Sequence, residues 1–167
     1  MILIEIVFIA TFCAMFIGGF IHIVCLKKDR SAQNKLKMFL IWALTSAGAI
    51  GLEKFYANVF YPELYAKFLG WNPNVAWQFE VSIINFIIAT LGILSIWLHD
   101  LFWVASVITL TIRDWGIAIG HYLELILHYD VASGNVGLAV YIEIFHPIIA
   151  IALLIAYYNV KKFPRKV

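Results

Sequence analysis

The sequence predicts an all-α membrane protein of five transmembrane helices, a four-helix bundle core with one additional helix. Three observations carry that prediction. The 167 residues are 63% hydrophobic and only 13% charged, with a mean hydropathy of +0.91, whereas soluble domains carry about 25% charged and about 45–50% apolar residues. Five apolar stretches reach the ~20 residues that a helix needs to cross a bilayer. The lysines and arginines gather beside alternate ends of those stretches, as cytoplasmic flanks do. One integral membrane domain, residues 1–167, accounts for the whole chain, with the lipid bilayer as its first partner. Nucleic acid is excluded as a partner, because the basic residues flank apolar runs and form no stripe with interleaved aromatics.

The first span covers about residues 2–26. No basic residue precedes it, Glu5 lies inside it, and it exceeds the 7–15 apolar residues of a cleaved signal, so it reads as a span that stays. Cys13 and Cys25 are twelve residues apart on this helix, roughly 18 Å. A disulfide needs Cα atoms within about 7 Å, so they do not pair and are read as small packing residues. His22 is read as interfacial. The second span covers about 36–60. An amphipathic segment follows at about 62–70, with Pro62 suited to a first helical turn and Gly70 to a stop. Tyr61, Tyr65, Phe68, Trp71 and Trp77 form an expected interfacial aromatic belt, so this segment reads as a surface anchor, with a lid as the alternative.

The third and fourth spans, about 75–98 and 101–128, are separated by His99 and Asp100 alone, which predicts a tight helical hairpin. The fifth covers about 136–160. Lys27, Lys28, Arg30, Lys35 and Lys37, together with Lys161, Lys162, Arg165 and Lys166, hold nine of the twelve basic residues. Five spans place both groups on one side, which reads as the cytoplasm: N-terminus out, C-terminus in, in the plasma (inner) membrane. Gly18–Gly19, Gly48 with Gly51, and Gly116 with Gly120 read as surfaces for close helix packing. The GxxxG spacing of the last pair leaves dimerisation, or assembly into a larger complex, as its rival.

Glu53, Glu80, Arg113, Asp114, His121, Glu124, Glu143 and His146 fall inside these runs, where a charge costs several kcal/mol without a partner or a task. At ~1.5 Å rise per residue, Glu53, Glu80, His121, Glu124 and Glu143 all come to roughly 8–14 Å on the outer side of the midplane. His146 comes to about 3 Å, and Arg113 and Asp114 lie near the centre. Asp114, His121 and His128 share a helix face, with Glu124 beside His121. Gln78, Ser82 and Asn85 form a polar stripe nearly opposite Glu80. The five carboxylates set against Lys54 and Arg113 leave a formal excess of three negative charges, which calls for protons or a bound cation.

Four readings follow. A two-metal site of iron or manganese would use Glu53 and Glu80 as single carboxylates, the Glu143–His146 Glu-x-x-His pair, and the reversed His121–Glu124 pair; a single metal ion is the simpler form. Haem would take His121 and His146 as axial ligands. A proton path would run along Asp114, His121, Glu124 and His128. A structural ion network would centre on Arg113 with Asp114, Glu80 and Glu143. Nucleophile elbows, phosphate-cradling loops and structural zinc spacings are absent from the sequence.

Gly51-Leu52-Glu53-Lys54-Phe55, Ala66 to Trp71, Gln78-Phe79-Glu80 and Gly92-Ile93-Leu94 resemble the DoxX-like group of small bacterial integral membrane proteins. Gln78 and Glu80 with Asn85, Gly120-His121, and Asn135-Val136-Gly137 with Glu143 look like an uncharacterised subfamily of about this size. The resemblance implies the four-helix core with an added helix, and a redox or quinone-contacting role, since some members are associated with quinone-linked sulfur oxidation or redox-stress complexes. It carries over no catalytic residue. Gln78, Asn85, Arg113 and Asp114 are nominated for binding a cofactor or small apolar substrate entering from the outer side or the lipid, and the resemblance makes a quinone one such ligand. Glu53, Glu80, His121, Glu124, Glu143 and His146 are the nominated metal ligands. A metal-dependent or quinone-linked redox protein and a non-catalytic subunit or proton-coupled carrier are the two function classes that remain.

Overall fold

The computed structural model describes residues 2–25 and 30–162 and is all-α over them. Five of its helices are long and apolar enough to cross a membrane. They are α1 (Ile2–Cys25), α2 (Ala32–Phe60), α4 (Val75–Leu94), α5 (Leu101–His128) and α7 (Leu138–Lys162); α3 (Pro62–Leu69) and α6 (Ser133–Val136) are short. Leu26, Lys27, Lys28, Arg165 and Lys166, part of the first span and of the orientation argument, lie outside the described residues.

Local chemistry sets several boundaries away from the expected ones. Ser31 caps α2 by accepting from the Asn34 amide at 3.3 Å, so this helix starts at Ala32 rather than 36. α4 stops at Leu94, four residues short of expectation. Ser95 Oγ donates to the Gly92 carbonyl at 2.6 Å, and the Ser95 carbonyl accepts from the Trp103 indole at 2.9 Å. The chain therefore turns over Ser95–Asp100, and the α4–α5 connection is wider than a two-residue hairpin. Glu5, inside the first span, accepts from the Leu138 amide at 2.8 Å, a carboxylate at the N-terminus of α7.

α2 is the hub of the bundle. It packs along α4, α1 and α7, while α5 is held mainly by α7. The α2–α4 contact is a glycine seam: a Cβ on Gly92 would fall 2.5 Å from the Leu44 carbonyl, and one on Gly51 2.7 Å from the Asn85 carbonyl. Small residues let these two backbones meet, as they do where membrane helices associate by close packing. α1 lies on the outside of α2 and α7 as the additional helix. Cys13 and Cys25 are unpaired and exposed on it, so they are not the packing residues expected.

Two apolar clusters frame the interior. One joins Leu40, Leu44, Ile88, Trp103, Leu110 and Tyr157; the other joins Phe8, Ile50, Tyr65, Phe68, Leu69 and Ile142. Tyr65 and Phe68 are therefore core residues and not members of a surface belt. α3 folds over the bundle end with Tyr65, Ala66, Phe68 and Leu69 buried beneath it, and Gly70 ends it at φ 79°. At that left-handed angle a Cβ would also collide with the Asp130 carboxylate at 2.3 Å.

Candidate functional site

α4 and α5 are neighbours in sequence but touch over only a short stretch. Between them lies a cavity of about 520 Å³, inside the range of small-molecule sites. Its walls are Val81, Ile84, Ile112 and Ile117, with Gly116 and Gly120 on the α5 side. Ile84, Ile112 and Trp77 are also exposed on the outer face of the bundle, so the cavity meets the lipid-facing surface there. Tyr65 and Leu69 from α3, with Trp71 and Trp77, close its outer end. α3 is thus a cover over the cavity, not simply an anchor. Burial and the Glu143 charge push the Tyr65 phenol above its ordinary range, so it keeps its proton.

A Cβ at Gly116 or Gly120 would meet nothing within 4 Å. The GxxxG pair on α5 therefore does not pack helices within the bundle; it leaves room. The expected close packing fails because α5 packs mainly on α7 and meets α4 only over a short stretch.

The floor of the cavity is polar. Lys54, Asn58, Gln78, Asn85, Arg113, His121 and Glu143 all line it and all are buried. Lys54 on α2 donates to Glu143 Oε1 on α7. Arg113 on α5 donates to its neighbour Asp114 and across to the Asn85 side-chain oxygen on α4. Gln78 donates to the Pro62 carbonyl at 2.8 Å and receives the Asn74 amide at 3.1 Å, tying α4 to the start of α3. His121 Nδ1 and Asn135 Oδ1 are 2.6 Å apart, and the Trp71 indole lies 6.0 Å from the imidazole at a 32° tilt. Two floor atoms have no hydrogen-bond partner among the described residues: Arg113 Nε and Glu143 Oε2.

The nominated metal ligands do not converge. Glu80 points to the outside of α4 and is exposed. Glu53 takes the Thr11 hydroxyl at 2.5 Å on the α1 side, away from its neighbour Lys54. Glu124 pairs with His128 at 2.8 Å on the surface, which also removes both from the expected proton ladder. His146 reaches the Ala43 carbonyl at 2.8 Å and stacks edge-on against Phe12 at 5.3 Å, while His121 bonds Asn135, so the two are engaged separately and do not face one ligand. No group of three or more His, Cys, Asp or Glu able to hold a metal occurs among the described residues. The network expected around Arg113 contracts to Asp114 and Asn85, with Glu143 claimed by Lys54.

The charge excess vanishes with that rearrangement. Among the described residues, Lys54 and Arg113 are buried against Asp114 and Glu143, two cations to two carboxylates. Glu53, Glu80 and Glu124, the other carboxylates of that layer, are exposed or half-buried. Gln78 and Asn85 face inward, as their stripe predicts, and Arg113 joins them at the cavity, while Asp114 sits behind it beside His146 in a small second cavity. The sequence reading missed Asn58 altogether, placed Tyr65 and Trp71 only in an interfacial belt, and used Lys54 only as a counter-charge. Lys54 had a signal, a lysine inside an apolar run, but lay next to a carboxylate that drew the same explanation.

Residues 5–163 match the model of a family of unknown function (DUF6790), nearly the entire chain. The chain belongs to that family. Neither the curated proteins nor the solved structures contain a match to it. Function therefore rests on the DUF6790 cavity itself.

Proposed function

We propose that this DUF6790 chain is a plasma-membrane protein, N-terminus out and C-terminus in, that binds a small lipid-soluble molecule carrying a hydrogen-bonding head. A quinone serving redox chemistry fits that description best. The observation that carries the reading is the cavity of about 520 Å³, with apolar walls open toward lipid and a buried polar floor. A flat ring has Trp71, Trp77 and Tyr65 to lie against, and its oxygens have Arg113, Lys54, Gln78 and Asn85 as donors. Lateral entry between α4 and α5 would spare the molecule a passage through water. The resemblance to DoxX-like proteins points to the same redox direction.

A metal-dependent role draws no support from the ligand geometry, because Glu53, Glu80 and Glu124 turn away from His121 and Glu143. A purely structural network is favoured by one observation, the balance of the two buried ion pairs. It leaves the cavity above them without a purpose.

The test is a titration of the nanodisc-embedded protein with a decyl-tailed benzoquinone, followed by tryptophan fluorescence. Trp71 and Trp77 line the site and should give saturable quenching. Gly116→Phe should abolish the saturable phase while helicity and melting temperature hold, since its ring enters open space. Linear quenching, identical in both proteins, would leave partition into lipid as the only process.

A further inference from the structure

The floor of the cavity fixes more than the presence of a polar head. Asn135 on α6 donates its side-chain amide to the Asp130 carbonyl at 2.8 Å. A backbone carbonyl can only accept, so that bond sets which end of the amide is nitrogen and turns Oδ1 toward His121. His121 Nδ1 lies 2.6 Å from that oxygen and must carry the ring proton. A ring holding one proton carries it on Nδ1 and presents Nε2 as an acceptor. Nε2 stands 3.7 Å from Glu143 Oε2, beyond hydrogen-bond range. Glu143 Oε2 is itself buried and receives no donor among the described residues, while Oε1 is occupied by Lys54. Two acceptors from two helices thus face one another at the cavity floor, and both residues line it.

Resting on the reading that the cavity takes a lipid-soluble ring, we propose that His121 Nε2 and Glu143 Oε2 act as an acceptor pair for a ligand hydroxyl, so the site selects the phenol or quinol form. A hydroxyl oxygen set against both atoms can direct its hydrogen to either, and its lone pairs stay available to Arg113 Nε, which lacks an acceptor. A quinone carbonyl brings no hydrogen and would set a third acceptor against the other two. Asn135 is a positioning residue here: it touches no ligand and acts by holding the imidazole tautomer.

Three probes separate the possibilities: the decyl benzoquinol, the matching benzoquinone, and the quinol's di-O-methyl ether, all titrated anaerobically into the nanodisc-embedded protein. The quinol should bind about tenfold or more tightly than the other two, the scale of one hydrogen bond to a charged group. In Asn135→Leu the imidazole is free to place its proton on Nε2, and the quinol preference should fall to within about threefold. Because that variant replaces a buried side chain, ¹⁵N-histidine spectra of the wild type give a second readout, with Nδ1 protonated and Nε2 bare at His121. Equal affinity for quinol and ether, an undiminished preference in Asn135→Leu, or a protonated Nε2 in the free protein would each overturn the acceptor pair while leaving the binding site intact. Saturable binding by none of the three would overturn the site and the inference together.

Discussion

Glycine does opposite work on the two flanks of α4. On the α2 side, Gly48, Gly51 and Gly92 bring two backbones so close that a Cβ on Gly92 would lie 2.6 Å from the Gly48 Cα. On the α5 side, Gly116 and Gly120 face no atom within 4 Å, and the space they leave belongs to the cavity. The same residue, at similar spacing in the sequence, builds contact in one place and withholds it in the other. The difference teaches that small-residue motifs in membrane helices report an absence of side-chain volume, and only the neighbouring helix decides whether that volume is filled.

Breaking the comparison starts beneath both flanks, where Lys54 of α2 meets Glu143 of α7. Lys54→Met leaves a buried carboxylate without its cation and should cost about 3–5 kcal/mol, whereas Lys54→Met with Glu143→Leu should recover most of the loss. Reversible unfolding in mixed micelles distinguishes the two, and equal losses in single and double variants would mean that the pair is not the unit proposed. Next in size is the closed seam. Gly92→Ala pushes a methyl into backbone and should destabilise by about 1–3 kcal/mol, because neither helix can yield as a side chain would.

The open flank should respond with the opposite sign. Gly116→Ala gains up to about 1 kcal/mol, since it removes glycine's entropic cost in a helix and meets nothing. Melting temperatures of the two alanine variants, measured side by side, sharpen the contrast; a loss at Gly116 would show that the gap is packed. The smallest effect belongs to the surface. His128→Ala breaks the pair with Glu124, but the imidazole is 66% exposed, and the change should stay within about 1 kcal/mol.

The sequence and the structure part company in a way that has one physical source. Depth along a membrane helix follows from the rise per residue, so the layer holding His121 and Glu143 was legible before any coordinates. Azimuth was not. A water-facing helix shows its buried side by hydrophobic contrast, but lipid is as apolar as the protein core, and that contrast fades. Glu53 and Lys54 are adjacent, and nothing in the surrounding run says which of them turns inward; the structure turns Lys54 to Glu143 and Glu53 to Thr11. Glu80 and Glu124 shared the layer but faced out. Where a helix carried several polar residues in step, as with Gln78, Ser82 and Asn85, the inward face was readable and correct. The cavity was beyond reach for another reason: it exists because α5 leans on α7 instead of α4, a choice between helix pairs that no local pattern records.

The central claim is that the space between α4 and α5 receives a lipid-soluble ring. Photolabelling with an azido-benzoquinone in native membranes, with adducts mapped by peptide mass spectrometry, tests it most directly. The account predicts adducts on cavity-lining residues such as Trp77, Val81, Ile112 and Ile117 that excess unlabelled quinone competes away. Adducts spread over the lipid-facing residues of α1, such as Phe16 and Phe20, and indifferent to competitor, would contradict it.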